Sequence, residues 1–351
     1  MNYNLIQEFV RGCVSIYHAV DFIGVLGTTS VSLLKISVLR MCHKKMGFIL
    51  ESAVNDWSMD HCEKSREIMR RHAVFGTFVS VFQFSSAAAS AVLIVIVAPP
   101  TLEETPSDNV ENGNLNITEY RNVPMGSGCS VVGMPIFLYL TFYVFQLCQL
   151  ICLCFCSVGI DSIFFAIVMH LCAQFKLLNV DIARLGHHVD QRNNVRENFI
   201  SNIERHKHLS RLAKLVEDIF HPIILGQLAA SGLHITLLGI EILFGLRDGN
   251  YSILVYSAVT VSLLLLQLYI YCYAGDYLAS QAKGIRDAAY SCSWYNFRPS
   301  FAKDIMFVVV RSNRLFHLTA GKMFRMNIQG FTTLLKTIMS FFSVLKLTIV
   351  G

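Results

Sequence analysis

The sequence predicts an all-α fold: a polytopic membrane helix bundle with cytoplasmic helical extensions, read as one integral membrane domain over residues 1–351. Three observations carry that prediction. Hydrophobic residues make up 54% of the chain and charged residues 15%, against about 25% charged in soluble domains. Apolar stretches able to cross a ~30 Å hydrocarbon core, about 20 residues at ~1.5 Å each, recur along the whole length. Lys and Arg are segregated among the polar segments between them: 40–71, 176–214 and 281–314 hold seven, eight and six, whereas 1–17, 101–124, 247–250 and the final residues hold one each. Basic loops stay cytoplasmic, so six spans with both termini outside satisfy the count. The net charge of +5 is thereby assigned to membrane sidedness, and no nucleic-acid partner is expected. Residues 1–11 lack the basic region and small-residue cleavage site of a signal peptide.

The first span, 14–39, is the weakest, interrupted by His18, Asp21 and Lys35, and read alone it also fits an interfacial helix. The basic segment 40–71 is expected as a short cytoplasmic loop. The second span, 73–98, stops at Pro99 and Pro100, which cannot continue a helix. Segment 101–124 sets Glu103, Glu104, Asp108, Glu111 and Glu119 against Arg121 and holds the sequon Asn116-Ile117-Thr118, so it reads as extracellular with Asn116 glycosylated. The apolar run from 131 to 171 is too long for one crossing: the span is 131–160, and Asp161 marks where the helix emerges.

Leu178, Ile182 and Leu185 then recur at helical spacing among basic residues, so 161–218 reads as paired helical extensions. The fourth span, 219–246, has Pro222 near its start and Glu241 near its end. Its four-residue link makes it an antiparallel neighbour of the fifth, 251–274. Segment 275–325 is basic around an apolar run at 305–310, read as a buried helix. With 161–218 it forms a mainly cytoplasmic anchor region. The last span is 326–350.

Within that last span, Thr333, Thr337, Ser340, Val344 and Leu347 recur at intervals of four, three, four and three, so they share one helical stripe. Such a stripe fits close packing of membrane helices. It also fits a pore wall in which an apolar ring gates by dewetting while hydroxyls inward of it hold water. Lys336 lies about 80° from the centre of the stripe, at ~100° per residue, and is expected to pack or snorkel.

Other chemistry is weakly signalled. Of eleven Cys, Cys148, Cys152, Cys154 and Cys156 crowd one apolar run without His and read as packing residues, not metal ligands. Cys13 and Cys129 fall on the oxidising side, where a disulfide is chemically allowed. His187, His188, Glu204, His206 and His208 lie in a basic segment where exposed His is commonplace. Neither a Gly-rich phosphate loop nor a nucleophile motif is present. The sequence predicts no enzyme, no metal and no cofactor.

The C-terminal half resembles the insect odorant receptors. Carrying the likeness are Ala289-Tyr290, Trp294-Tyr295, Arg311-Ser312, Leu318-Thr319-Ala320-Gly321-Lys322, Phe331, Leu335-Lys336 and Ser340-Phe341-Phe342-Ser343-Val344-Leu345. Upstream, Tyr271-Cys272-Tyr273-Ala274-Gly275-Asp276 resembles the family's sixth-span ending, and Cys172-Ala173-Gln174-Phe175-Lys176-Leu177-Leu178 the segment just past its fourth. The matches run from about Trp57 onward.

The resemblance implies a seven-span subunit with an outer C-terminus in the plasma membrane of sensory neurons. It implies a heterotetramer with the odorant co-receptor, surrounded by membrane lipid, whose last spans line one cation-conducting pore with Val344 at the hydrophobic constriction. This chain begins where the family's second span begins, so the first span is expected to be absent. A small volatile ligand is expected in the outer half of the early spans, which places Tyr17, His18, Asp21 and Phe22, then Ala91 and Ile94, then Phe137, Tyr139, Phe142 and Tyr143 as candidate contacts; the competing assignment is an interfacial aromatic belt or helix contacts. Two other receptor classes are weighed. A gustatory receptor has a similar tail. A G-protein-coupled receptor would put the C-terminus inside, and neither Asp-Arg-Tyr after a third span nor Asn-Pro-x-x-Tyr in the last is present.

Overall fold

A computed structural model of the chain describes residues 16–59, 62–97, 135–185, 195–249, 251–292, 294–311 and 316–349. Among the described residues there are eight α-helices: α1 Ile16–Met41, α2 His43–Ser58, α3 Glu63–Val97, α4 Ile136–Ala183, α5 Val195–Asp248, α6 Tyr251–Ser291, α7 Pro299–Arg311 and α8 Ile328–Ile349. A 3-10 turn at Trp294–Asn296 precedes α7. An antiparallel hairpin, β1 Thr319–Ala320 with β2 Phe324–Arg325, precedes α8. The Asn116 sequon, Cys13, Cys129, His187 and His188 lie outside the described residues.

Helices α4, α5 and α6 have 48, 54 and 41 residues, which at ~1.5 Å each makes rods of about 60–80 Å, roughly twice the thickness of a hydrocarbon core. Each is one unbroken helix where the sequence suggested a span and an extension. Gly249, at φ 68°, ends α5 in the left-handed conformation that glycine adopts without strain, and α6 starts two residues on as its neighbour. Helices α1, α3, α4, α5 and α6 are long and apolar enough to cross a membrane. Helix α8 also has span length, 22 residues, and carries Lys336 and Lys346.

The main hydrophobic core occupies one end of the bundle, here termed the base. There Phe164, Phe165, Leu171 and Phe175 of α4 meet Leu209, Leu212, Ile219 and Phe220 of α5 and Leu278 and Ile285 of α6. Ile305 of α7, Leu318, Ala320 and Met326 close it. The opposite end, the top, holds the first halves of α4 and α6 and the last of α5. Its residues Phe137, Val144, Phe145, Tyr251 and Val255 leave the surface apolar.

Segment 40–71, expected as a loop, is mostly helical: α2, then the first turns of α3. The reason is a buried stripe, Ile49, Ser52 and Asp56, at intervals of three and four that seats α2 against α4 and α5.

The motif at 318–322 fastens the hairpin to α5. Pro222 has no N–H and so frees the Asp218 carbonyl in the middle of α5. Around it, Gly321 N–H donates to the His221 carbonyl (2.9 Å), Thr319 Oγ1 donates to Glu217 (2.9 Å) and Lys322 Nζ stands 3.6 Å from Asp218. Gly321 and Lys322 have φ of 59° and 63°. On the other side, Gly275 of α6 touches the chain just ahead of α8, and a Cβ there would lie 2.3 Å from the Met326 carbonyl oxygen. Asn327 caps α8 through its side-chain oxygen on Gly330 N–H (2.7 Å).

Gly275→Ala is therefore expected to cost about 1–3 kcal/mol through backbone overlap. In detergent-solubilised protein this reads as a lowered melting temperature, and an unchanged melt would refute the close approach.

Candidate ligand-binding and gating sites

On the top half of α4, Tyr139, Phe142, Tyr143 and Gln146 fall at i, i+3, i+4 and i+7 and so share one face. Tyr139 and Tyr143 are buried with rings 6.4 Å apart, and Phe142 packs half-buried beside Tyr139. The Gln146 Oε1 atom is buried without a hydrogen-bond partner among the described residues. Phe137 stands away from this face, 83% exposed. Ala91 on α3 is half-buried. Tyr17, His18, Asp21 and Phe22 belong to α1 and Ile94 to α3, but their side chains lie outside the described set.

Helix α5 brings further polar groups to the top. Its His234 ring lies over Gly24 of α1, where a Cβ would meet Nε2 at 2.5 Å, and its Nδ1 is buried without a partner among the described residues. Glu241 accepts a hydrogen bond from Ser257 of α6 (2.8 Å), both buried.

Between top and base, a charged cluster joins four helices. Lys35 Nζ of α1 lies 2.7 and 2.8 Å from the two carboxylate oxygens of Asp161 on α4, and also donates to Ser157 (2.9 Å). The exposures are 0% and 2%, so the pair is sealed from solvent. Asp161 accepts from α6 as well, through Gln267 Nε2 (2.7 Å) and the Tyr271 hydroxyl. Gln227 of α5 donates to Gln267 Oε1 (3.2 Å) and to Ser231 (2.9 Å). Every charged atom of the cluster thus meets a partner, as burial in a low dielectric requires.

Helix α8 has two faces. Phe331, Leu334, Leu335, Ile338 and Phe342 are partly buried. Phe342 sits on Gly239 of α5 and Phe331 meets Tyr269 of α6 edge-on at 5.5 Å. Thr333, Thr337, Ser340, Val344 and Leu347 are all exposed, Val344 at 60% and Leu347 at 77%. The hydroxyls of Thr333 and Thr337 donate to the backbone carbonyls of Gln329 and Thr333.

Known proteins share this fold. The family model described as 7tm Odorant receptor matches residues 15–339. The chain belongs to the 7tm odorant receptor family. It is 29% identical to Odorant receptor 13a of Drosophila melanogaster over 224 residues, covering 59% of this chain and 53% of that one. It is 27% identical to the Odorant receptor coreceptor of Anopheles gambiae over 145 residues, covering 41% and 30%. The chain spans about half the length of the Drosophila relatives it matches. The insect olfactory receptor OR5 from Machilis hrabei shares the fold, with a TM-score of 0.75 at 14% identity, covering 98% of this chain and 86% of that one. Its complex with eugenol gives 0.70, covering 99% and 87%. With five long apolar helices, this odorant receptor family member is a multi-pass membrane protein.

The charged cluster of this receptor is not among the sites expected from its sequence. In one dimension Lys35 is a break in a weak span and Asp161 a point of emergence, although opposite charges placed similarly near the ends of two spans are a signal for pairing. Gln146 is a second omission, since it continues the spacing of Tyr139, Phe142 and Tyr143. Among the described residues no group of His, Cys, Asp and Glu is arranged to hold a metal ion.

At the base, Asp56 of α2 receives Arg205 Nη2 at 2.5 Å and His170 Nε2 at 3.1 Å, while Arg205 also reaches Gln174 (3.0 Å). Burial raises the Asp56 carboxyl, but the His170 hydrogen bond with the charge and hydrogen bond of Arg205 outweigh it, and its pKa ends below the ordinary value. A depressed carboxyl stabilises the fold fully above its unfolded pKa of ~3.9 and loses that contribution as pH falls further. Asp56→Asn should lower stability at pH 7 by about 1–3 kcal/mol. Melting curves of the variant and the native chain should converge as pH drops below ~3.9. A constant gap across that range would contradict the assignment.

Proposed function

We propose that this chain is the ligand-binding subunit of an odorant-gated, non-selective cation channel, assembled with the odorant co-receptor as a heterotetramer in the plasma membrane of sensory neurons. The observation that carries the proposal is the division of α8. Its apolar stripe is spent on α5 and α6, and the opposite stripe, hydroxylated and then apolar, is left for an axis shared with neighbouring subunits. Thr333, Thr337 and Ser340 hydrate the inner part of the path, and Val344 and Leu347 close it by dewetting. The likeness to co-receptors over 41% of the chain supports the shared assembly.

Under this reading the six spans are 14–39, 73–98, 131–160, 219–246, 251–274 and 326–350, and the base is the cytoplasmic anchor. The top is then the outer half, where a small volatile ligand meets the α4 face of Tyr139, Phe142 and Tyr143, with α1 and α3 opposite. Gln146 Oε1, an acceptor, and His234 Nδ1, a donor or acceptor by tautomer, are buried there without protein partners among the described residues, which suits a ligand with a hydroxyl or carbonyl group. The eugenol complex of the Machilis receptor is a precedent for a small ligand in this fold.

Three outcomes test the proposal. With the co-receptor co-expressed, Phe142→Ala and Tyr143→Ala should shift half-maximal ligand concentration by about tenfold, the equivalent of ~1.4 kcal/mol, at unchanged surface level. Superimposable dose–response curves would remove the α4 site. Val344→Ser or Val344→Lys should change basal leak or ion selectivity while leaving the rank order of ligands intact, and a conductance indifferent to both would remove the pore stripe. Asn116→Gln should abolish a glycan mass shift, whereas an unglycosylated 101–124 segment that external protease cannot cut would reverse the topology.

A further inference from the structure

The buried charge of Asp161 is partnered more heavily than a helix contact needs. Of its partners, Lys35 is a full counter-ion held by both carboxylate oxygens, yet α6 contributes two more donors, Gln267 and Tyr271, one turn apart. Gln267 is itself fixed from α5 by Gln227. On a different side of α6, Tyr269 meets Phe331 of α8, while Gly275, one turn beyond Tyr271 on the same side as Tyr271, meets the backbone at Met326. Residues 267 and 269 differ by two positions, about 200° around the helix. Helix α6 therefore stands between the ion pair and the root of α8. The pair joins α1 and α4, two of the helices assigned to the ligand, to the helix that seats α8.

We propose that Gln267 and Tyr271 are positioning residues that tie α6 to the Lys35–Asp161 pair and thereby hold α8 in its resting, closed seat. The inference rests on the channel reading above. The hydrogen bonds are geometrically demanding, and in a low dielectric an α6 displaced from them leaves Asp161 under-satisfied. That cost is a restraint on one arrangement of α6, and ligand binding that moves α1 or α4 moves Asp161 with it. Two seats of different energy, biased from a distance, are the requirement for coupling between sites.

The test reads the resting gate without any ligand. Val344→Cys is co-expressed with the co-receptor and exposed from outside to a membrane-impermeant maleimide, and labelling above that of the native chain is followed in time. Adding Gln267→Leu should accelerate labelling at least about fivefold. Tyr271→Phe, which removes one hydroxyl at nearly constant volume, should act in the same direction and serves if the leucine variant fails to reach the surface. Thr260→Ala, a half-buried α6 position whose hydroxyl bonds its own helix backbone at Tyr256, should leave the rate unchanged. Equal or slower labelling in the Gln267 and Tyr271 variants overturns the inference, as does acceleration by Thr260→Ala. No labelling in any background strikes the pore assignment of Val344 and the inference with it, whereas labelling at one uniform rate strikes the inference alone.

Discussion

Lys35 is a lysine sealed from solvent inside α1, at 0% exposure. An unpaired charge inside a membrane helix is costly, and lysines there are found paired. Asp161 turns this liability into a fastening: at 2.7–2.8 Å with 0% and 2% exposure, the pair is neutral overall and sealed. The constraint propagates. Because Asp161 also takes donors from α6, and α6 is braced by Gln227 of α5, four helices must keep register to within a hydrogen-bond length at this level.

Below that level the bundle is tightly packed, and above it the helices present more open surface. At the base, Phe164 packs on Phe220 and Tyr271 with centroids 4.8 and 5.1 Å away, and α7 and the hairpin close over the same core. Such an interior has little freedom to deform. At the top, the Gln146 and His234 atoms without partners among the described residues and the exposed apolar side chains of α4 and α6 describe surfaces suited to lipid, ligand or another subunit. Helix α8 spans the two regimes: its start is capped by Asn327 and pinned near Gly275, while its far end exposes Val344 and Leu347. A rigid root with an exposed far end is a mechanical arrangement suited to gating.

Much of this is legible in the residues. Runs of apolar side chains locate every long helix, the four-residue link makes α5 and α6 antiparallel neighbours, and the 4-3-4-3 spacing in α8 picks five residues of its broad exposed face. Periodicity works there because one helix face decides one outcome. It fails where meaning depends on a second chain segment. Lys35 weakens its own span until Asp161, 126 residues away, is seen beside it. The glycine of the Tyr271–Asp276 motif looks like punctuation, and only the Met326 carbonyl explains it. Polar Ser52 and Asp56 hide a helix because their burial is satisfied by His208, His170 and Arg205 from elsewhere in the chain.

The coupling of Lys35 to Asp161 is what the bundle depends on, and a double-mutant cycle measures it directly. Melting free energies of Lys35→Met, Asp161→Asn and the double variant should show each single change costing about 3–5 kcal/mol, since each strands a buried charge. The double variant should lose less than the sum of the two by at least about 1 kcal/mol. Strictly additive losses, or single changes without effect, would mean that the pair does not hold the bundle together.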